Sequence, residues 1–290
     1  MGTAMLDEER RQAFWRDGYL VVENVIEPPL LARLQATMAA WVDESRAHEA
    51  PWGRTIDDRP RFHLEEGHDA DAPRLLRVNA PIEVCEHYLN AATVGRLPAL
   101  IAELIGPDVK LHHTKINAKQ PGGHTAVRWH QDFPFTPHSN DDVITALVMI
   151  DDVDAENGPL EVLPGSHRED IYSLWHDDVF TGAVSAEIEA SSRARARICH
   201  GPAGSVCLMH TRLLHGSAPN HARRPRTLFI AVYSADDAVP LSPNPMPSRF
   251  EGMLVAGQRS RRVRSVPFEL RLPQLPRTGS FFDQQAAPSR

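Results

Sequence analysis

From Val109 to about residue 236 the chain is cut into short runs rich in β-branched and apolar residues: "VKLHHTKINAKQ", "AVRWHQDFPF", "VITALVMIDDV", "GPLEVLPGSH", "GSVCLMHTRLLHGS" and "RTLFIAVYSADD". Clusters of Gly, Pro, Asn and Asp separate them. Runs this short cannot build long helices, and their regular interruption by turn residues is the pattern of an all-β sandwich or barrel. The spacing is broken at residues 168–200 by a charged, partly helical insertion. Before Val109 the pattern is helical. "PPLLARLQATMAAWVDESRA" places Leu30, Leu31, Leu34, Met38, Trp41 and Val42 at amphipathic-helix spacing. "NAATVGRLPALIAELIG" is a further helix, stopped by Gly106, and "LDEERRQAFWRDG" is a short one, with Asp7, Glu8 and Glu9 in its first turn and Gly18 at its end. "YLVVENVI" follows as a strand, while residues 49–73, rich in charge, His and Pro, have no period and are expected to be a loop.

Helices first and strands after imply one domain over residues 1–290. It consists of an N-terminal helical layer to about 108, a β-core over about 109–236, and a proline- and arginine-rich extension over 237–290. With 42% hydrophobic residues a core can form. The formal net charge of −7 disfavours nucleic acid or an anionic membrane as partner. No apolar run approaches the roughly 18 residues of a membrane span. Cys85, Cys199 and Cys207 are odd in number and form no CxxC pair, which points to a reducing, cytoplasmic setting. The sequence leaves the oligomeric state open.

"VRWHQDFPF" sets His130 and Asp132 two residues apart, a spacing that on a strand turns both to one face. A histidine and a carboxylate on one face are two-thirds of a metal site. The third ligand has to come from a later strand, where His167, His200, His210, His215 and His221 are available. His215 is the best placed, at a strand end just before Gly216 and Ser217, where the mouth of a barrel collects ligands. Arg226 then enters the apolar run "TLFIAV", a costly position for a cation unless it meets an anion. Each feature alone has an ordinary reading: a chance His-x-Asp, a surface histidine, a solvated strand-edge arginine. Together they describe two histidines and a carboxylate on one metal face, with an arginine fork beside it. That set suits non-haem Fe(II) with a dicarboxylate such as 2-oxoglutarate.

The chain resembles the phytanoyl-CoA dioxygenase family of Fe(II)/2-oxoglutarate oxygenases from about residue 10 to about residue 236. "FWRDGYLVVENVI" is similar to the family's opening, "WHQDFPF" to its first metal motif, "ENGPLEVLPGSH" to the turn and strand that follow, and "LLHGSAPNHARRPR" to its distal motif. The resemblance implies an α+β fold: an all-β core shaped as a double-stranded β-helix, or jelly roll, with flanking helices. It implies Fe(II) held by His130, Asp132 and His215, and 2-oxoglutarate held by Arg226 and Ser217. Lys115, on the strand before the first motif, falls where the family contacts the cosubstrate, although a strand-edge lysine is an equal reading. Arg77 falls where a basic residue reaches the site. Leu147 stands where some relatives carry a tryptophan.

The implied reaction decarboxylates 2-oxoglutarate to succinate and CO2. It uses O2, with ascorbate as reductant, and hydroxylates an unactivated C–H of a small-molecule metabolite, a natural product or an acyl-type substrate. Asp132 occupies the position that is alanine or glycine in related halogenases, so hydroxylation is expected and chlorination is not. A jelly roll that binds metal and 2-oxoglutarate without turnover, as a sensor or structural protein, would carry the same metal motif. Intact ligands together with an intact anion-binding arginine favour the enzyme. Residues 49–73 and 168–200 are the candidates for lid and substrate walls. "RSRRVR", residues 259–264, reads as a solvated basic face or, less directly, as an anion contact.

Overall fold

The structure is a computed structural model that describes residues 5–275 and 281–285. The chain begins with α1 (Glu8–Asp17), β1 (Tyr19–Val22), α2 (Pro28–Ser45), β2 (Trp52–Arg54), β3 (Pro60–Leu64), β4 (Leu75–Asn79), α3 (Glu86–Thr93) and α4 (Arg96–Ile105). The strand-rich part holds β5 (Val109–Lys119), β6 (Val127–His130), β7 (Val143–Met149), β8 (Leu160–Val162), β9 (Trp175–His176), β10 (Val179–Phe180), α5 (Ala186–Arg193), β11 (Arg197–Cys199), β12 (Val206–His210), β13 (His215–Ser217) and β14 (Arg226–Ala235). β15 (Leu254–Ala256) and α6 (Phe281–Gln285) close the described chain. No described helix is long and apolar enough to cross a membrane.

The larger sheet runs β1-β12-β7-β14-β5-β4-β3-β2, with β15 also on β5. The smaller runs β11-β8-β13-β6, and β9 and β10 form a separate hairpin. Two antiparallel sheets facing each other, with helices on the outside, give the expected jelly-roll layering. The segment expected as a loop, 49–73, instead contains β2 and β3, which extend the larger sheet past β4. Trp52 stacks on Phe62 there, with ring centroids 4.6 Å apart. β2 is half-buried to exposed, so no alternation of apolar residues marked it.

Strand alternation sorts the larger sheet into two faces. Ile144, Ala146 and Val148 of β7 and Phe229, Ala231 and Tyr233 of β14 face outward. They pack with Ile116 and Ala118 of β5 beneath Leu34, Met38, Tyr88, Leu97, Leu100 and Ile101 of the helices. Tyr88 and Tyr233 are fully buried, and their hydroxyls donate to the carbonyls of Leu34 (3.1 Å) and Ala92 (2.7 Å), so neither polar tip is stranded. Truncating one of the buried leucines in this layer to alanine would cost about 2–5 kcal/mol. The opposite face carries Leu147, Met149, Leu228 and Ile230, which meet Leu160, Val162 and Leu213 across the sandwich. That same inner face of β5 carries Lys115, Asn117 and Lys119, so alternation drives three polar side chains into the space between the sheets.

α1 is capped as its sequence demands: the Asp7 carboxylate accepts from the Arg10 N–H at 2.8 Å. Gly18 closes it in the left-handed region at φ +82°. A Cβ at Gly18 would stand 2.4 Å from His167 Nδ1, so glycine is needed for space as well as for conformation.

Candidate metal centre

His130 is the last residue of β6, and His215 the first of β13, which pairs with it in register. Their imidazole centroids are 4.2 Å apart. Asp132 is not on the strand: at φ −72°, ψ −32° it begins the single helical turn Phe133–Phe135. The strand alternation expected for His130 and Asp132 therefore does not bring them together. The chain turns immediately after β6, and the turn swings Asp132 back under the histidines. Asp132 Oδ1 lies 3.5 Å from His130 Nε2 and 3.7 Å from His215 Nε2. One donor atom from each of the three residues falls within 4.8 Å of the others.

The backbone selects which ring nitrogens face inward. His130 Nδ1 is 2.7 Å from the Arg128 carbonyl, and His215 Nδ1 is 2.9 Å from the Leu213 carbonyl. A carbonyl can only accept, so both Nδ1 atoms carry the proton and both Nε2 lone pairs point at the centre. Asp132 is oriented the same way: Thr145, from the inner face of β7, donates its hydroxyl to Oδ2 at 2.7 Å and leaves Oδ1 to the histidines. Burial opposes the Asp132 charge, but His215, His130 and Lys115 overcome it, and the carboxyl stays below its ordinary range. Burial, with His130 beside it, pushes His215 down to about 4, so its imidazole is neutral at physiological pH. Two neutral, oriented imidazoles and an ionised carboxylate on one side of an open space fit a divalent ion such as Fe(II) that keeps its remaining positions free.

Gln131, between His130 and Asp132, points away. Its Nε2 donates to the carbonyls of Arg212 (2.6 Å) and Asp170 (3.1 Å), and its Oε1 accepts from the Tyr172 N–H at 2.8 Å. It ties the metal turn to the 168–200 insertion. Trp129 and Phe133 are fully buried and pack in the core, and Phe135 lines the cavity.

At the far end of the cavity Arg226 is 2% exposed and donates Nε to the Gly158 carbonyl at 3.0 Å. Burial lowers it to about 10 with Asp151 pushing back, so it remains a cation. Directly across the β5–β14 ladder is Lys119, which sequence reasoning missed. Its ammonium donates to the Ser217 hydroxyl at 2.6 Å and to the Ala218 carbonyl. Burial and then Arg226 push Lys119 far below the usual lysine range. Two buried basic groups set against each other disfavour a second positive charge unless an anion lies between them. The period-two spacing Lys115, Asn117, Lys119 was the available signal for this residue.

Gly158 holds φ +74°, as its Asn-Gly turn requires, and a Cβ there would stand 2.7 Å from the Ala218 carbonyl. Lys115 and Arg77 line the same cavity, toward the triad end. His210 is buried against Trp15 and His167 and is not part of the triad, while His200 and His221 are exposed.

The remaining cavity wall comes from an unexpected place. Neither 49–73 nor 168–200 lines it directly; Pro245, Met246, Phe281, Phe282 and Gln284 do. The Phe281 ring lies 5.6 Å from the His130 ring and 6.0 Å from Phe135. Gln285 anchors this segment to β6 like an added strand residue. Its Oε1 accepts from the Arg128 N–H at 2.9 Å, and its Nε2 donates to the carbonyls of Gly182 (2.8 Å) and Arg128 (3.3 Å). The basic run near 260 is tied down, with Arg264 paired to Asp142 and Asp237, and Arg259 to Asp236.

The family model for phytanoyl-CoA dioxygenase matches residues 14–228. A probable alpha-ketoglutarate-dependent hypophosphite dioxygenase of Stutzerimonas stutzeri is 29% identical over 271 residues, covering 91% of each chain. L-proline trans-4-hydroxylase of Streptomyces griseoviridis is 29% identical over 265 residues, covering 82% of this chain and 90% of that one. Among solved structures, EctD from S. alaskensis in its apoform superposes with a TM-score of 0.69 at 22% identity, covering 90% of both chains, a likeness of fold.

Proposed function

The chain belongs to the phytanoyl-CoA dioxygenase family, and from that premise we propose that it is an Fe(II)/2-oxoglutarate-dependent dioxygenase that hydroxylates a small molecule at a C–H bond. The observation that carries the reading is the pairing of two ends in one cavity. His130, Asp132 and His215 converge at one end, and the buried basic pair Arg226 and Lys119 stands at the other. The two relatives, whose names give hypophosphite and L-proline as substrates, support a small-molecule substrate. We assign residues 1–290 to one catalytic domain, supported by β1 pairing with β12 of the core and by Phe281 reaching the triad. Net charge and cysteine usage support a cytoplasmic enzyme with no nucleic-acid or membrane partner.

His130, Asp132 and His215 hold the iron, which when bound supplies the activation of O2 that is coupled to decarboxylation of 2-oxoglutarate to succinate and CO2. The protein's own work is positioning. The Arg128 and Leu213 carbonyls keep both imidazoles in the tautomer that donates through Nε2. Thr145 fixes the carboxylate plane. Arg226 and Lys119 neutralise the distal carboxylate of 2-oxoglutarate, with Ser217 beside it, and the Gly158 carbonyl holds the guanidinium in place by taking its Nε proton. Leu147, Leu160, Leu228, Ile230 and Val232 make an apolar floor that keeps water from the reacting centre, and Phe135 and Phe281 close it from above.

The test is anaerobic addition of Fe(II) and 2-oxoglutarate. A weak visible charge-transfer band is expected, lost in His215→Ala, with succinate released slowly once O2 is admitted. A band of full strength in His215→Ala would remove His215 from the ligand set. Binding of both groups with no succinate under any condition would make the protein a sensor.

A further inference from the structure

β6 is the outer strand of the smaller sheet, so one edge of its backbone has no strand of that sheet beside it. An open edge leaves backbone donors and acceptors for other groups to satisfy. At Arg128 one side chain does this. The Gln285 amide accepts from the Arg128 N–H at 2.9 Å and donates to the Arg128 carbonyl at 3.3 Å, the two bonds that a neighbouring strand residue makes. Its Nε2 also donates to the Gly182 carbonyl at 2.8 Å. Gln285 is 7% exposed, so these bonds are made away from water and are costly to leave unmade.

The Arg128 carbonyl also serves the metal centre. His130 Nδ1 donates to it at 2.7 Å, the bond that leaves Nε2 free for the metal. A carbonyl oxygen has two lone pairs. Here one takes the imidazole of a metal ligand and the other takes the amide of Gln285. Gln285 holds the N–H on one side of Arg128 and the C=O on the other. It thereby fixes both planar peptides that flank Arg128, and with them the direction in which the carbonyl faces His130.

The other end of this connection is the cavity cover. α6 carries Phe281 and Gln285 four residues apart, which sets them one turn apart on one face. The Phe281 ring is 5.6 Å from the His130 ring and 6.0 Å from the Phe135 ring. Gly182 makes room where they meet. It holds φ +63°, and a Cβ there would stand 3.0 Å from Phe135 Cζ and 3.7 Å from Gln285 Cγ. β6, the 168–200 insertion and α6, far apart in the chain, are joined through one amide.

We propose that Gln285 is a positioning residue of the metal centre: it sets the carbonyl that orients His130, and so ties an iron ligand to the aromatic cover carried on the same helix. Gln285 acts through the Arg128 peptide. The geometry of the ligand set then depends on closure of the cavity, since the contact that seats Phe281 is the contact that steadies His130. The inference rests on the dioxygenase reading above. It adds to that metal centre a residue beyond the 14–228 span that the family model matches.

The test reads the metal alone and needs no turnover. The full chain, freed of metal, is titrated with Co(II), whose visible absorption reports both occupancy and ligand geometry. Wild type is expected to bind one Co(II) per chain. Gln285→Ala removes all three bonds. Gln285→Glu keeps an acceptor for the Arg128 N–H but sets a carboxylate oxygen against two carbonyls. Partners behind a ligating histidine are worth about 10- to 100-fold in metal affinity, and Gln285 stands one bond behind such a partner, so both variants should weaken Co(II) about 5- to 20-fold. Both should also change the shape of the visible bands at saturating Co(II), which a mere loss of stability would not do. Phe281→Leu thins the cover but keeps the amide, and should leave affinity within about twofold and the bands unchanged. Affinity and bands in Gln285→Ala and Gln285→Glu that match wild type would overturn the proposal. So would a Phe281→Leu that shifts them equally, since the effect would then belong to the cover. A wild-type chain that binds no Co(II), or a His215→Ala that binds it with unchanged bands, would overturn the metal centre itself and the dioxygenase reading with it.

Discussion

Arg226→Met removes the guanidinium charge and its hydrogen-bond fork while keeping most of the buried volume. Its effect can be worked from the surroundings. Arg226 is 2% exposed, and its Nε is committed to the Gly158 carbonyl, which leaves the two terminal nitrogens for the cosubstrate. Truncating one partner of a buried, hydrogen-bonded charge pair costs about 2–5 kcal/mol. Lys119 stands opposite and is itself held down by Arg226, so it gains basicity when Arg226 is lost and takes up part of the anion. The lower part of the range therefore applies. About 2–3 kcal/mol at 1.36 kcal/mol per decade gives a 2-oxoglutarate dissociation constant raised about 30- to 150-fold. Fe(II) affinity should change by less than threefold, since no triad residue touches Arg226. The assay is an anaerobic titration of 2-oxoglutarate into the Fe(II)-loaded chain, followed by the visible band, with iron affinity measured separately. A dissociation constant within twofold of wild type would refute the pairing and leave Lys119 as the anchor.

Thr145→Val should keep the fold but free the Asp132 carboxylate to rotate, lowering Fe(II) affinity about 10- to 100-fold by equilibrium dialysis. Gly158→Ala meets both a positive φ and the Ala218 carbonyl, so its thermal midpoint should fall, and its 2-oxoglutarate affinity should fall with it because the Gly158 carbonyl positions Arg226. Wild-type enzyme turning over in high chloride should give product heavier by one oxygen and no chlorinated product, and Asp132→Gly should lose most activity; mass spectrometry reads both. Acid should destabilise the metal-free chain through His138. Burial lowers it from 6.5 to about 4, with Lys110 adding to the effect, and it packs against His112, which is also lowered. Because the folded value lies below the unfolded one, the stability is present above about 6.5 and is lost as pH falls toward 4, on the order of 3 kcal/mol in full. Urea midpoints measured from pH 7 to pH 4 should show this decline, and His138→Asn should flatten it.

How much of this was legible depended on how local each feature is. The strands from Val109 onward carry their own alternation, so the layered fold and the inward face could be read directly. His215 followed from its place at a strand end, and Arg226 from the cost of a cation in an apolar run. The approach of Asp132 to His130 was expected for the wrong reason, because the turn at Phe133–Phe135 supersedes the strand at once. Strand β2 was hidden in a polar, proline-rich stretch because an edge strand buries little and needs little apolar pattern, and β3 because much of what it buries is polar, Arg61 and His63 on either side of Phe62. Lys119 was readable from the two-residue period but was overlooked beside Lys115. The Phe281 wall could not have been read at all: it depends on Gln285 finding the backbone of Arg128, a contact with no local signature.

That contact runs against the direction of synthesis. The ligands and the anion end of the cavity are all made by the time Arg226 leaves the ribosome, and β1, among the first elements made, has been waiting for β12. The aromatic wall comes last. Until the segment around Phe281 emerges and Gln285 docks on β6, the nascent enzyme is a complete reaction centre with one side open to water. A chain that met iron and 2-oxoglutarate during that interval would hold its oxidising machinery without its shield. The late arrival of the wall makes translation itself a period of exposure, and places the oxidative risk on Phe135, Met246 and the other side chains that rim the unfinished cavity.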